Sequence, residues 1–394
     1  MTPTRRYAKK QHKALQRRRR NAQERQQHQQ RQAQRDIEAL RHALNALGLP
    51  DNLVLEIAGR LRAHKKLLGT IFGLMFPTLF GCRSAYELTC VRGWDKNMPS
   101  PLLSALPKRS WLKRLRTLGL DVLTPLWRHT QSMSPATRSR WQWTWVWDDS
   151  VFRTYGQDVA LVGNWYSGQH KRVVSGIDGV LLIVVVGDGN LVVPIDFAVR
   201  RPDPTGPGAP CRNTLEWAQV MLDHGLDAFA RRGLHLPAPL AAADSWFSDS
   251  KLMSHVSNKH QGTLLVQGKS SYTFTLADGQ KVKGAELITG EQWPWRHSLQ
   301  APGCRYTRLR AHSATYGEVP LILVDKDGED RFDVFCLASE IPATRFLHVW
   351  SRRNLIEQVF RVLKHLLATD ACQVHSEDAY YGHLVLRLMA SFVL

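Results

Sequence analysis

The stretch WQWTWVWDDS, residues 141–150, sets Trp141, Trp143, Trp145 and Trp147 at alternating positions and ends on two acids and a serine. Alternation at period two is the pattern of a β-strand, and the acids mark where it stops. Downstream, GIDGVLLIVVVGDGNLVVPIDFAV (176–199) reads as two apolar strands joined by a Gly-Asp-Gly-Asn turn. A Pro/Gly-rich loop, RRPDPTGPGAP (200–210), leads into the helical pattern NTLEWAQVMLDHGLDAFARRG (213–233). A short strand, LPAPLAAADS (236–245), ends on Asp244, and a helix near SDSKLMSHVSN (248–258) precedes the strand GTLLVQG (262–268). The expected order is β-β-β-α-β-α-β, a mixed α/β sheet. Residues of about 268–332 are polar and strand-like, with turns at ADGQ, APG and DKDGED, so a β-rich block interrupts the unit. The apolar strand FDVFCLAS (332–339) follows, and a late helix covers WSRRNLIEQVFRVLKHLL (350–367).

Upstream the texture differs. Residues 1–36 hold twelve Lys/Arg against two acids, with Gln and Ala making up most of the rest. Such a segment cannot bury a core and is expected to be a disordered or phosphate-tracking arm. Residues 37–140 show helical periodicity in DIEALRHALNALG, LVLEIAGRLRAHKKLLGTIFGLMF, SAYELTCVRG and KRSWLKRLRTLGLDVLTPLWRHT. They are expected to form an all-α domain whose recurring basic residues either grip DNA or form a solvated face.

Composition narrows the function classes. The 394 residues carry a formal charge of +19, an excess that suits a polyanionic partner, nucleic acid first and an anionic membrane surface second. The longest apolar run, VLLIVVV (180–186), is too short to span a bilayer, and no long amphipathic helix with a clean apolar face is visible. The basic start lacks an apolar signal region, so a cytoplasmic, nucleoid-associated protein is expected. Six scattered Cys without a CxxC pair read as reduced thiols, and they argue against a zinc site. The ending LRLMASFVL stops inside a helical pattern, as a truncated or a naturally short chain would.

Three acids stand at informative places: Asp148 at the end of the first strand, Asp244 at the end of the fourth, and Glu357 on the late helix. Asp149 is the rival for the first position, although alternation points it to the other face. If the first and fourth strands are neighbours, two carboxylates lie side by side and the helix lays a third over them. Carboxylates held that close are tolerable when a divalent cation neutralises them, and hard Mg²⁺ or Mn²⁺ suits an all-oxygen site. Each acid also has an ordinary structural reading, as the cap of a turn for Asp148, Asp149 or Asp244 and as an i,i+4 partner of Arg353 for Glu357. On the late helix Trp350, Arg353, Glu357 and Lys364 fall within roughly 60° of one another at about 100° per residue.

That helix carries a specific resemblance. Trp350-x2-Arg353-x3-Glu357-x6-Lys364 has the spacing of the Tyr-Arg-Glu-Lys signature of bacterial insertion-sequence DDE transposases, with Trp in the Tyr position. DDS at 148–150 and ADSWF at 243–247 are similar to that family's first two acid motifs. The resemblance covers roughly residues 140–394. It implies an RNase H-like catalytic domain over 141–394, with a β-rich insertion before the last catalytic helix. It implies that Asp148, Asp244 and Glu357 hold two Mg²⁺ or Mn²⁺ ions, and that Arg353, Lys364 and Trp350 contact DNA phosphates, the indole having one N–H where the family has a hydroxyl. Trp293 and Trp295, in EQWPWRH, are candidates for stacking on a flipped base or for burial in the insertion's own core. The reaction implied is hydrolysis at the element's terminal inverted repeats, then attack of the freed 3′-OH on target DNA. A homodimer is expected on DNA, with no membrane and no small-molecule substrate. An RNase H-like nuclease without strand transfer and a non-catalytic DNA-binding remnant remain alternative expectations.

Overall fold

A computed structural model describes residues 67–392, apart from single residues and short stretches of which 203–211 is the longest. The basic arm of 1–36 and the helices expected over 37–66 lie outside the described residues. Among the described residues five α-helices come first: α1 (Leu67–Met75), α2 (Ala85–Arg92), α3 (Pro99–Leu103), α4 (Lys108–Ser132) and α5 (Pro135–Arg138). The strands β1 (Trp143–Arg153), β2 (Gly163–Ser167), β3 (Arg172–Val186) and β4 (Leu191–Val199) follow. Next come α6 (Thr214–Ala230), β5 (Leu240–Ala243), α7 (Ser250–Ser254) and β6 (Thr263–Gln267). The remainder is β7 (Thr273–Leu276), β8 (Lys281–Lys283), α8 (Gly284–Ile288), β9 (Arg296–His297), β10 (Cys304–Ser313), β11 (Gly317–Lys326), β12 (Phe332–Leu337), α9 (Ala343–Arg361) and α10 (Glu377–Ala390).

The chain is a mixed α/β protein built on one twelve-stranded sheet, ordered β2-β3-β1-β5-β6-β12-β11-β10-β7-β8, with β4 also on β3 and β9 on β10. β3 runs antiparallel to β1 along the whole of β1, and β4 returns antiparallel beside β3. β1 lies parallel to β5, with Trp145 opposite Ala241, so the first strand and the strand ending on Asp244 are neighbours as expected. β5 is in turn parallel to β6. The β-rich block extends this same sheet, because β12 pairs antiparallel with β6. The strand β2 carries no strong alternation in GNWYS, and the sequence reading omits it.

The alternation in β1 decides its two faces. Trp143, Trp145 and Trp147 belong to one core layer with Phe229 of α6; Val146 and Phe152 belong to the opposite layer, with Ile356, Phe360 and α10. Burying a Trp removes about 150–250 Å² from water, roughly 4–6 kcal/mol of transfer free energy each. Close approach of α6 needs Gly225, where a Cβ would stand 2.7 Å from the Trp145 ring. The uninterrupted apolar run of β3 is covered on both faces, so it shows no alternation. The helix α6 starts where its sequence says it should: Asn213 and Glu216 form a reciprocal capping box.

The described N-terminal helices share a core with the α/β body. Leu103 and Trp111 pack in one cluster with Tyr380, Tyr381 and Leu384 of α10, and Gly382 lets the Leu103 carbonyl approach. Lys108 pairs with Glu377 at 2.6 Å, and buried Arg387 donates to the Met75 carbonyl at 3.0 Å. The helix α10 closes at Ala390, where the Ser391 N–H bonds back to the Arg387 and Leu388 carbonyls. Among the described cysteines Cys82, Cys336 and Cys372 are buried and none is in a disulfide. No described helix is long and apolar enough to cross a membrane.

Candidate active site

The face of β1 that carries Thr144, Val146 and Asp148 lies under α9. Arg352, buried at the centre of that contact, donates to the Gln142 carbonyl at 3.0 Å, to Thr144 Oγ1 at 2.8 Å and to the Gly187 carbonyl. One residue on, Arg353 emerges over Asp148, which lies midway along β1: the strand does not stop at the acids but stays paired with β3 as far as Arg153. This fastening sets the register of α9 over the acids.

Asp148, Asp244 and Glu357 converge on the Arg353 guanidinium. Its Nη2 lies 3.4 Å from Asp148 Oδ2 and 3.7 Å from Asp244 Oδ2, and its Nη1 lies 2.6 Å from Glu357 Oε1. The other oxygens have local duties: Asp148 Oδ1 accepts the Asp149 N–H at 2.9 Å, and Asp244 Oδ1 caps the next turn through the Trp246 N–H at 2.8 Å. Capping and convergence therefore coexist, with one oxygen of each aspartate facing the common point. The three acids and Arg353 line a cleft of about 550 Å³ together with Ser150, Lys364 and His365.

The electrostatics follow from burial. Asp148 is 8% exposed, and desolvation, followed by the charge of Asp244, pushes its pKa up to about 7. Arg353 opposes that rise. Asp149 is raised well above the ordinary carboxylate range, by burial first and then by Asp178 and Asp148. It borders the same cleft, but it pairs with Val180 of the Trp layer whereas Asp148 pairs with Leu181 of the layer under α9, so its side chain is on the opposite face, as expected. β5 pairs with β1 only across residues 144–146, so that edge of β1 is open beside Asp148. The charged neighbours of Asp149 are Asp178 and that residue's partner, Arg200, as well as Asp148.

Lys364 sits in a π-helical turn, Val362–Leu366, that continues α9, and its Nζ contacts Ser150 Oγ at 2.7 Å. Burial lowers its pKa, while Asp370, Asp148 and Asp149 act in the other direction. Trp350 is turned away from the cleft. Its ring packs on Phe335 of β12 with centroids 4.4 Å apart, and Arg353 stands over it at 5.9 Å. Trp293 and Trp295 do not line the cleft either. Trp293 donates to the Leu287 carbonyl at 2.5 Å, Arg305 stacks on Trp295 at 4.8 Å, and both rings pack against the core of the β-rich block.

The structure adds wall residues that the sequence reading passed over: Tyr166, Gln169, Arg361 and His365. Arg361 and His365 follow Glu357 at i+4 and i+8, a spacing that places them on its face of the helix. A second cleft, of about 560 Å³, is lined by Arg109, Lys113 and Arg116 of α4 with Arg231 and Arg232 at the end of α6. Part of that charge is internally balanced, since Arg232 pairs with Asp121 at 2.8 Å and Arg116 lies 3.7 Å from Asp196.

Chemically, three carboxylate oxygens face one point, which the Arg353 guanidinium fills; their ligand atoms do not all lie within 4.8 Å of one another, as a set of metal ligands would. Nearby Lys364 and Arg361 offer cationic partners for a phosphate. The chain matches no model of a known protein family, and no curated protein sequence matches it.

Proposed function

We propose that this protein is a DDE-type transposase of an insertion sequence, cutting and joining DNA at an RNase H-like centre. One observation carries the reading: acids separated by about a hundred residues each, at 148, 244 and 357, meet on a single guanidinium. Sheet order supports it, because an antiparallel β1-β3-β4 meander followed by parallel β5 and β6 beside β1 is the arrangement an RNase H-like core requires. The charge of +19 and the basic wall of α4 support a nucleic-acid substrate.

In this reading Asp148, Asp244 and Glu357 would hold two divalent ions once Arg353 gave up its place between them, with Asp149 behind them on the other face of β1. Such ions supply activation of the attacking oxygen and stabilisation of the leaving oxygen in phosphodiester exchange. The chain's own residues position the substrate. Lys364, held on Ser150, fixes a cation at the mouth of the acid cleft where a backbone phosphate would lie. Arg353 neutralises the acids and is underpinned by the Trp350 ring, so Trp350 acts by holding the guanidinium in place of the phosphate contact expected of it. The substrate would be the element's terminal repeats and a target duplex, engaged by a homodimer.

The test is incubation of the full chain and Mg²⁺ with a fragment carrying the DNA that flanks its gene, plus a supercoiled plasmid. End cleavage together with covalent joining to the plasmid is expected. Cleavage without joining would reduce the protein to a nuclease, and binding without cleavage would make it a remnant.

A further inference from the structure

Away from the acid cleft, α6 and the β5–β6 crossover meet at a second cluster of ligating groups. His255 and His260 bracket a π-helical turn, His255–Lys259, that ends in the left-handed Gln261 (φ 53°). This tight exit turns both imidazoles onto one carboxylate of α6. His255 Nε2 lies 2.9 Å and His260 Nε2 2.7 Å from the same oxygen, Asp223 Oδ1, and the rings stand 5.1 Å apart. The other oxygen, Oδ2, accepts from Lys259 Nζ at 2.7 Å. The side chains are 14%, 17% and 27% exposed for His255, His260 and Asp223, which leaves an opening to solvent.

We propose that Asp223, His255 and His260 form a Zn²⁺ site, with water completing a four-coordinate shell. Two imidazole nitrogens and one carboxylate oxygen are a donor set that zinc takes readily, at about 2.0–2.1 Å from each. Ligand atoms on such an ion stand roughly 3.3 Å apart, by the geometry of a tetrahedron with those bond lengths. The three atoms already lie within 4.8 Å of one another, so seating the ion spreads the two N···O contacts by about half an ångström. Lys259 does not have to leave: on Oδ2 it takes the part of the outer hydrogen bond that orients a ligating carboxylate. Burial raises the Asp223 pKa, but the donors Lys259, His260 and His255 outweigh it and keep the group below its ordinary value, so it is already an anion. Hard Mg²⁺, which favours oxygen ligands, is a poor match for the two imidazoles.

The ion would fasten α6 to the segment between β5 and β6. That segment begins at Asp244, so the site would brace the crossover that presents the second acid without entering the reaction. It stands whether or not the acid cleft cuts DNA. The alternative is that Asp223 serves only as a hydrogen-bond hub.

The experiment is Zn²⁺ titration of the metal-stripped full chain, with retained metal measured after dialysis. One Zn²⁺ per chain is expected in the wild type and in Glu357→Ala, with on the order of 100-fold weaker binding in His260→Ala. Absence of stoichiometric zinc in the wild type, or equal affinity in His260→Ala, overturns the proposal. Should His260→Ala fail to fold, Co²⁺ loading of the wild type decides. Intense d–d bands of tetrahedral Co²⁺ without a thiolate charge-transfer band support the site, and weak octahedral bands or a thiolate band refute it.

Discussion

Replacing Asp148 by Asn should make the metal-free protein more stable. Burial and the neighbouring Asp244 raise the Asp148 pKa from 3.8 to about 7. A carboxyl with a higher pKa folded than unfolded gives a folded state that binds more protons, so stability falls as pH rises between the two values. The penalty is absent below about pH 4 and complete above about pH 7. At 1.36 kcal/mol per pH unit, a span of about three units comes to roughly 4 kcal/mol at pH 8. Asparagine keeps an acceptor for the Asp149 N–H, but it turns an amide toward Arg353, which takes back part of the gain. The net expectation is about 2–4 kcal/mol of added stability at pH 8 in EDTA, shrinking toward zero at pH 4. Urea unfolding of both proteins at the two pH values measures it. Millimolar Mg²⁺ should stabilise the wild type and leave Asp148→Asn nearly unchanged. Equal or lower stability of the variant in EDTA at pH 8, or equal stabilisation of both by Mg²⁺, would refute the reasoning.

Three further outcomes follow from the same geometry. Mg²⁺ binding must displace the proton from Asp148, so affinity measured by titration calorimetry should climb as pH rises through about 7 and level off above it; a flat profile from pH 5 to 8 would contradict this. Lys364→Ala should weaken binding of the flanking DNA and reduce the slope of log affinity against log salt by about one, because one phosphate contact is lost; an unchanged slope would remove Lys364 from the DNA path. Trp350→Phe keeps a ring against Phe335 and beneath Arg353, so it should retain cleavage within a few-fold; a loss of several hundredfold would mean that the indole N–H contacts DNA.

Much of this arrangement is legible in the chain. Period-two alternation gives β1 and its faces, the capping pair Asn213 and Glu216 starts α6, and Asp244 directly follows β5, although Asp148 lies inside β1 and not at its end. Helical spacing puts Arg353, Glu357 and Lys364 on one face, though not the π-turn that carries Lys364. Other features depend on pairing that local pattern does not encode. The short contact of β5 with β1 leaves an open edge beside Asp148, and the pairing of β12 with β6 merges the β-rich block into the main sheet. The motif suggests a phosphate contact for Trp350, but its packing on Phe335 of β12 depends on a strand far away in the sequence. Cysteine spacing bears only on thiolate sites, whereas the cluster of Asp223, His255 and His260 joins two elements 32 residues apart.

The central claim is that Asp148, Asp244 and Glu357 act together on a phosphodiester. Glu357 tests it best, because it is half-exposed and its isostere leaves the helix and the core undisturbed. The measurement is Mg²⁺-dependent cleavage of the flanking DNA by wild type and Glu357→Gln, with binding of the same fragment recorded alongside. Cleavage should fall by about 10³-fold or more while binding changes by no more than a few-fold, as for a group that acts only in the reaction. Cleavage by Glu357→Gln at the wild-type rate would contradict the account.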